Sequence, residues 1–193
     1  MEFKEHSFLL IVSRIDEIEV YNQEASPLIR ILSRYNQSMD VLSRVKTEKR
    51  LLVSRRSDCL RREISELKSR LELLRQHRES SRTLSDILFE SAIIKSTKLV
   101  KNSGYTLRRY RELLRQAAMK QFRNQVYPLL DILDEEENRI DPSISALKRY
   151  RDRFIVHLDP RFAFEDTIRG AGQSILNDLE VVFAHIEKHM LIL

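Results

Sequence analysis

Residues 28 to 103 form a stretch of 76 positions that contains neither glycine nor proline. These two residue types interrupt helices and make the tight turns that β-hairpins need, so their absence over this length favours long helices. The full 193-residue chain has only three glycines and four prolines. We therefore predict an all-α fold with few connections, since a β-rich fold needs more turn residues.

Apolar side chains recur at helical spacing along this stretch, and its second half has a seven-residue repeat. The repeating residues are Val53, Leu60, Ile64, Leu67, Leu71 and Leu74. A heptad seam of this kind predicts a helix that packs lengthwise against another helix. Arg50 and Ser57 interrupt the seam, which favours packing on a partner helix over a long independent coiled coil.

Other sequence signals divide the chain into helices. A first amphipathic helix is predicted over residues 3–23, and Glu79-Ser80-Ser81 interrupts the heptad pattern. Thr83 and Asp86 then fit a capping box, Gly104 suits a left-handed helix end, and Thr106 and Asp141-Pro142 suit helix starts. The predicted later helices are 84–101, one from Thr106 that kinks or restarts at Pro128, 141–158 and 165–190. We predict an N-terminal helical arm over residues 1–80 and a four-helix bundle over residues 83–193.

Positive charge is concentrated in the arm. Residues 45–82 contain twelve Lys and Arg against six Asp and Glu, whereas the whole chain has a net charge of +5. Such a segment either neutralises nucleic-acid phosphates or forms a solvated helix face with interleaved acids. On the first alternative, the arginines expected to contact nucleic acid are Arg55, Arg56, Arg61 and Arg62.

Composition also limits the compartment and the chemistry. Cys59 is the only cysteine, which excludes an intramolecular disulfide and fits a reducing compartment. The longest apolar run, residues 8–12, is too short to cross a bilayer. We expect a soluble cytoplasmic protein without a membrane partner. Glycine-rich phosphate loops are excluded because no segment has enough glycines.

Two groups of polar residues resemble metal ligands without matching a metal site well. Carboxylates crowd residues 131–137, and His185 and His189 are four positions apart. We interpret the carboxylates as a solvated helix end and the histidines as residues of a polar helix face. No metal or cofactor is predicted.

Arg151 stands out on the helix that begins at Asp141. At about 100° per residue, it falls in the middle of the apolar arc that includes Ile144 and Leu147. An arginine cannot lose its charge, so burying it is costly without an anionic partner. Either the side chain reaches the bundle end or an interior carboxylate, or it binds a phosphate in a partly dry cleft.

The segment Tyr150-Arg151-Asp152-Arg153-Phe154-Ile155-Val156-His157 resembles the signature of HEPN domains, the higher eukaryotes and prokaryotes nucleotide-binding family. That signature is an arginine, a polar residue, and a histidine four to six residues after the arginine. The resemblance covers roughly residues 84–190 and is nearest to the HEPN group associated with phage abortive infection. It implies a HEPN-like four-helix bundle.

The resemblance further implies a metal-independent endoribonuclease, either a toxin or a phage-defence effector. Arg151 would stabilise charge on the phosphate, His157 would transfer protons and Asp152 would support the site, with Arg149 and Arg153 as nearby RNA contacts. It also implies a homodimer, because two motifs line one cleft in the family. An antitoxin or another protein could bind the N-terminal arm. Two alternatives stay open, namely a non-catalytic helical interaction protein and a non-hydrolytic nucleic-acid binder.

Overall fold

The computed structural model describes residues 41–77, 82–100, 104, 106–156 and 167–193. These residues are helical and contain no strand beyond an isolated bridge, so the predicted all-α class is confirmed. The predicted helix over residues 3–23 lies outside the described residues. The helices are α1 (Thr47–His77), α2 (Arg82–Leu99), α3 (Leu107–Ala117), α4 (Arg123–Arg139), α5 (Asp141–Tyr150) and α6 (Thr167–Lys188), with a π-helix over Arg151–Val156.

Helix α1 is the longest element, and two shorter helices pack along it in succession. The Ser85 hydroxyl donates to the carbonyl of His77, and Lys95 of α2 pairs with Glu66 of α1. Farther toward the start of α1, the N–H of Lys46 donates to the carbonyl of Ala117 at 2.9 Å. Helices α2 and α3 therefore run antiparallel to α1, one after the other.

Helix α6 also runs antiparallel to α1. Its ion pairs with α1 are Glu180 with Arg75 and Glu187 with Lys68. Helices α4 and α5 complete the bundle, since α4 forms ion pairs with α3 and α6, and α5 packs against α6 and α2. The described residues thus form an antiparallel helical bundle.

The predicted heptad seam is the part of α1 that faces the core. All six of its apolar residues are buried, with at most 6% of each exposed. Ser57, which interrupts the seam, is also buried, and its hydroxyl donates to the carbonyl of Leu193 at 2.7 Å. The interruption is therefore a polar contact with the segment after α6, and Arg50 is exposed.

Several predicted helix boundaries are confirmed, but Thr83, predicted as a helix cap, lies inside α2, which begins at Arg82. Gly104 has a φ of +91°, and the Thr106 hydroxyl accepts from the N–H of Arg109 as the N-cap of α3. The predicted helix does not restart at Pro128, because Pro128 lies inside α4. The chain turns earlier, at residues 118–122, where the N–H of Met119 donates to the carbonyl of Arg44. Pro128 is the sixth residue of α4, so it removes one backbone hydrogen bond, the one to the carbonyl of Asn124, without ending the helix.

The compact unit runs from Asp40 to Leu193. The sequence prediction places residues up to 80 in an arm and starts the bundle at residue 83. In the structure, α1 supplies a continuous row of core side chains to the same unit as α2 to α6. Heptad spacing marks a packing face, but it carries no information on whether the partner helix belongs to the same domain.

Replacing Leu67 by alanine tests the importance of the α1 seam. Leu67 is fully buried, so we expect Leu67→Ala to lower the free energy of unfolding by about 2–5 kcal/mol through lost burial and a cavity. Leu73→Ala is the control, because Leu73 lies on the same helix and is 42% exposed; it should change stability by about 0.5 kcal/mol or less. Urea denaturation followed by circular dichroism measures both. Equal losses would contradict the assigned packing face.

Candidate functional site

The motif segment changes from α-helix to π-helix at Arg151. A π-helix pairs residues five positions apart, and such segments are frequent at functional sites. The α-helical geometry assumed in placing Arg151 therefore does not apply over Arg151–Val156. His157 lies outside the described residues.

Arg151 is mostly buried, with 18% of its side chain exposed. Its Nε and Nη2 atoms lie 2.8 and 2.6 Å from Oδ1 of Asp152, the next residue in the chain. Asp152 is about half exposed. Among the described residues, the partner of Arg151 is therefore not an interior carboxylate, and the Arg151 side chain does not extend into solvent. Arg151 and Asp152 instead form a neutral pair at the edge of the bundle.

Three aromatic rings hold this segment against α2. The Tyr150 ring lies edge-on to Phe89, with centroids 5.9 Å apart, and 4.8 Å from the ring of Phe154. Burial, and then the carboxylates of Glu90 and Asp86, raise the pKa of Tyr150, so the phenol remains protonated near neutral pH. The rings fix the backbone beneath Arg151.

The remaining predicted RNA contacts belong to two separate helical segments. Arg149 and Arg153 are exposed and flank Arg151. On α1, Arg55, Arg61 and Arg62 are exposed and Arg56 is half-buried. Arg55 and Arg62 are seven residues apart and so share one face of the helix. The structure brings Arg149, Arg151, Asp152 and Arg153 together and places the four α1 arginines on another helix.

A second arginine, Arg111 of α3, is the largest fully buried side chain. Its Nε donates to Asp134 at 2.6 Å and its Nη2 to Glu137 at 2.5 Å, both on α4. Its Nη1 lies 2.6 Å from Nε2 of His189, just after α6. One guanidinium thus connects three parts of the bundle.

The contacts of His189 fix its protonation state. Its Nδ1 lies 3.0 Å from the carbonyl oxygen of His185, which can only accept, so Nδ1 carries the proton. Its Nε2 then accepts from Arg111. Burial, and then the charges of His185 and Arg111, lower the pKa of His189 to about 3. His189 is therefore a neutral acceptor for the buried guanidinium.

His185 is also buried, and it faces two carboxylates of α4. Its Nδ1 and Nε2 lie 3.5 and 3.7 Å from Glu136 and Glu137, which are ion-pair rather than hydrogen-bond distances. Burial alone would lower the pKa of His185, but the two carboxylates outweigh it and raise that pKa. Despite their burial, contacts with His185, Lys188 and Arg111 hold the pKa of both carboxylates at about 2.

These contacts correct two predictions. His185 and His189 are core residues rather than members of a polar face, with at most 2% exposure. The acidic run of α4 is only partly solvated. Asp131 and Glu135 are exposed, but Asp134 and Glu137 pair with the buried Arg111, and Glu136 faces the buried His185 and pairs with the partly exposed Lys188. The sequence contains the acidic run and the histidine pair, but nothing in it indicates that their side chains contact one another in the fold. Among the described residues, no group of His, Cys, Asp and Glu is arranged to hold a metal ion.

Beside this network is a polar cleft of about 340 Å³. Its lining residues are Arg108, Arg111, Glu112, Arg115, Asp134, Glu137 and Asn138. The acids and bases in the lining pair with one another, as Arg115 does with Asp131 and Asp134. Because its charges are mutually neutralised, we assign the cleft a structural role.

In the part of the chain described, no helix is both long enough and apolar enough to cross a membrane.

Removing the Arg111 guanidinium should strongly destabilise the bundle. Arg111→Met leaves Asp134 and Glu137 without their buried cation, so we expect a loss of about 3–5 kcal/mol in the free energy of unfolding. Arg109→Met is the control, because Arg109 is 53% exposed and pairs with Glu112 on the surface; it should cost about 1 kcal/mol or less. Adding Glu137→Gln to Arg111→Met should recover part of the loss. Tolerance of Arg111→Met in chemical denaturation would contradict the structural role.

The His185 contacts predict a pH-dependent contribution to stability. The folded-state pKa is raised, so the contribution is full below the unfolded value of about 6.5 and disappears as the pH rises through the folded value. The stability difference between wild type and His185→Gln should therefore be larger at about pH 6 than at about pH 9. In a Glu136→Gln/Glu137→Gln background only burial acts on the pKa of His185, and burial lowers it, so the stability difference should no longer be larger at about pH 6. A difference that grows with pH would refute the assignment.

Comparison of the chain with protein-family models, curated proteins and solved structures finds no match.

Proposed function

We propose that the protein is a metal-independent endoribonuclease of the HEPN type, with Arg151, Asp152 and His157 as its catalytic residues. The state of Arg151 carries the proposal. Arg111, the other inward arginine, is held by two interior carboxylates and a histidine, whereas Arg151 pairs with the half-exposed residue beside it. A phosphate that approaches from solvent can compete for the Arg151 guanidinium without breaking the core.

The chemistry follows from the properties of these side chains. The RNA 2′-hydroxyl gives up its proton as its oxygen attacks the adjacent phosphorus, the P–O5′ bond breaks, and the 5′-oxygen takes up a proton. The products are a 2′,3′-cyclic phosphate and a 5′-hydroxyl. His157 suits the proton transfers because histidine titrates near neutral pH. Arg151 would stabilise the charge on the phosphoryl oxygens, and Asp152 would hold the guanidinium in place before substrate binds.

The proposal includes a two-fold homodimer in which motif segments of two subunits line one cleft. It also includes a role as a toxin or phage-defence effector that an antitoxin or another protein restrains by binding the N-terminal arm. Both features come from the resemblance of the motif segment to HEPN domains. Exposed Arg149 and Arg153, on either side of Arg151, are the nearest cations for the RNA backbone.

A second candidate is a non-catalytic helical interaction protein. Three apolar side chains of α2 favour it, because Leu84, Ile87 and Ile94 are 38%, 58% and 44% exposed. Their spacing places them along one side of the helix. Under this alternative, Ile87→Glu and Ile94→Glu would abolish binding to another protein, and purified protein would leave RNA intact.

Cleavage of single-stranded RNA in the presence of EDTA tests the ribonuclease. We expect Arg151→Ala to lower the cleavage rate about 10²–10³-fold and His157→Ala about 10²–10⁴-fold. Arg108→Ala is the control, since Arg108 is an exposed arginine of α3 and should leave the rate unchanged. A DNA strand that contains a single ribonucleotide should be cut only at that ribonucleotide, because only it has the 2′-oxygen that attacks the phosphorus. Activity that survives both Arg151→Ala and His157→Ala would refute the catalytic assignment.

A further inference from the structure

Two stretches of chain that are far apart in sequence meet at the start of α1. The N–H of Lys46 donates to the carbonyl of Ala117, and the N–H of Met119 donates to the carbonyl of Arg44, each at 2.9 Å. Val45 and Ala118 form an isolated antiparallel bridge between them. Residues 41–50 therefore lie beside the turn that joins α3 to α4.

This junction collects six cationic side chains, which we call the basic end. They are Arg44, Lys46, Lys49, Arg50, Lys120 and Arg123. Within residues 41–50 and 117–127 the only carboxylate is Glu48, so the two stretches carry a net charge of +5. The whole chain also has a net charge of +5. The basic end thus holds as much net positive charge as the entire protein.

The guanidinium groups of two of these arginines lie over aromatic rings at cation–π distance. The guanidinium carbon of Arg44 lies 5.7 Å from the centre of the Phe122 ring, and that of Arg123 lies 5.9 Å from the centre of the Tyr127 ring. An aromatic ring attracts the guanidinium without adding a negative charge that would neutralise it. Among the described residues, Nη1 of Arg44 and Nε of Arg123 are buried and have no hydrogen-bond partner.

Two further cations are held by backbone oxygens rather than by acids. Nζ of Lys46 donates to the carbonyl of Gln116 at 3.2 Å, and Nε of Arg50 donates to the carbonyl of Val45 at 3.1 Å. A carbonyl orients a cation without neutralising it. The buried cations of the core, by contrast, pair with carboxylates. The basic end therefore has oriented positive charge without matching negative charge among the described residues.

We propose that the basic end binds the phosphodiester backbone of single-stranded RNA. Several cations set along one junction suit a polyanion better than a small anion, because each neutralised phosphate releases counterions. Arginine side chains beside aromatic rings are common contacts of unpaired bases. The site shares no residue with the motif segment or with Arg55, Arg56, Arg61 and Arg62. The choice of RNA as the polyanion rests on the proposed function, whereas binding itself does not require cleavage.

Fluorescence anisotropy with a labelled single-stranded RNA of mixed sequence tests this proposal. Full-length His157→Ala protein is used, so that cleavage does not obscure binding. Adding Lys49→Glu and Lys120→Glu should weaken binding roughly tenfold or more at about 0.1 M salt. If two phosphate contacts are lost, the slope of log K against log salt concentration should shrink by about 1.4.

The matched control is Arg108→Glu/Arg109→Glu. It makes the same change in charge at two arginines of α3 that are each 53% exposed and lie outside the basic end. This control should retain most of the affinity and the full salt slope. Arg44→Gln/Arg123→Gln, which removes charge without reversing it, should also weaken binding. Circular dichroism shows which variants fold, and either basic-end variant alone suffices for the test.

The possible outcomes separate this site from the ribonuclease. Binding lost at the basic end supports the proposal even if the wild-type protein cleaves no RNA. Unchanged RNA binding in a folded basic-end variant overturns the proposal. Loss of RNA binding only in Arg55→Glu/Arg62→Glu, which changes two arginines of α1 outside the basic end, also overturns it. Preferential binding to vesicles with anionic phospholipids over RNA would also overturn it and would identify a membrane surface as the partner.

Discussion

The fold depends on neutralising one buried guanidinium. Arg111 cannot lose its proton in the core, so burying it requires acceptors at each end of its planar group. Asp134 and Glu137 of α4 and His189 after α6 supply those acceptors. Any rotation or shift of α3 against α4 would leave a buried charge unpaired. The packing of these helices is therefore specified by electrostatics as well as by apolar area.

This requirement explains features of the sequence that look like surface polarity. Asp134 and Glu137, three residues apart on α4, match the two sides of Arg111, and Glu136 between them faces His185 and Lys188. The two histidines differ in charge because their surroundings differ. Two carboxylates raise the pKa of His185 against the effect of its burial, whereas burial, and then the charges of His185 and Arg111, lower the pKa of His189. Two residues of one type, four positions apart, thus have opposite roles.

Local sequence rules predicted the elements of the fold and missed their contacts. The seam from Val53 to Leu74, the left-handed Gly104 and the Thr106 cap all depend on neighbouring residues, and each is confirmed. The pairing of Arg111 with Glu137, or of Arg44 with the turn at Met119, depends on which helix faces meet, and periodicity does not encode that. The π-helix was missed for a related reason. Its apolar residues follow the α-helical period closely, and the extra residue in the turn is visible only in the backbone.

The distribution of charge bears on how the two proposed sites would cooperate. Around the motif, Arg149, Arg151 and Arg153 are offset by Asp152 and by Asp86 and Glu90 of α2, which act on Tyr150. With Lys148, which precedes Arg149, these groups sum to a net charge of +1, so the motif segment exerts weaker long-range attraction on RNA than the basic end. The basic end carries a net charge of +5 within two short stretches and would attract RNA from a distance. Under the proposed function, the basic end would recruit RNA while the motif would act on a phosphate only after it is delivered. A nearly neutral catalytic segment is then no argument against a nuclease, because recruitment and chemistry belong to different parts of the bundle.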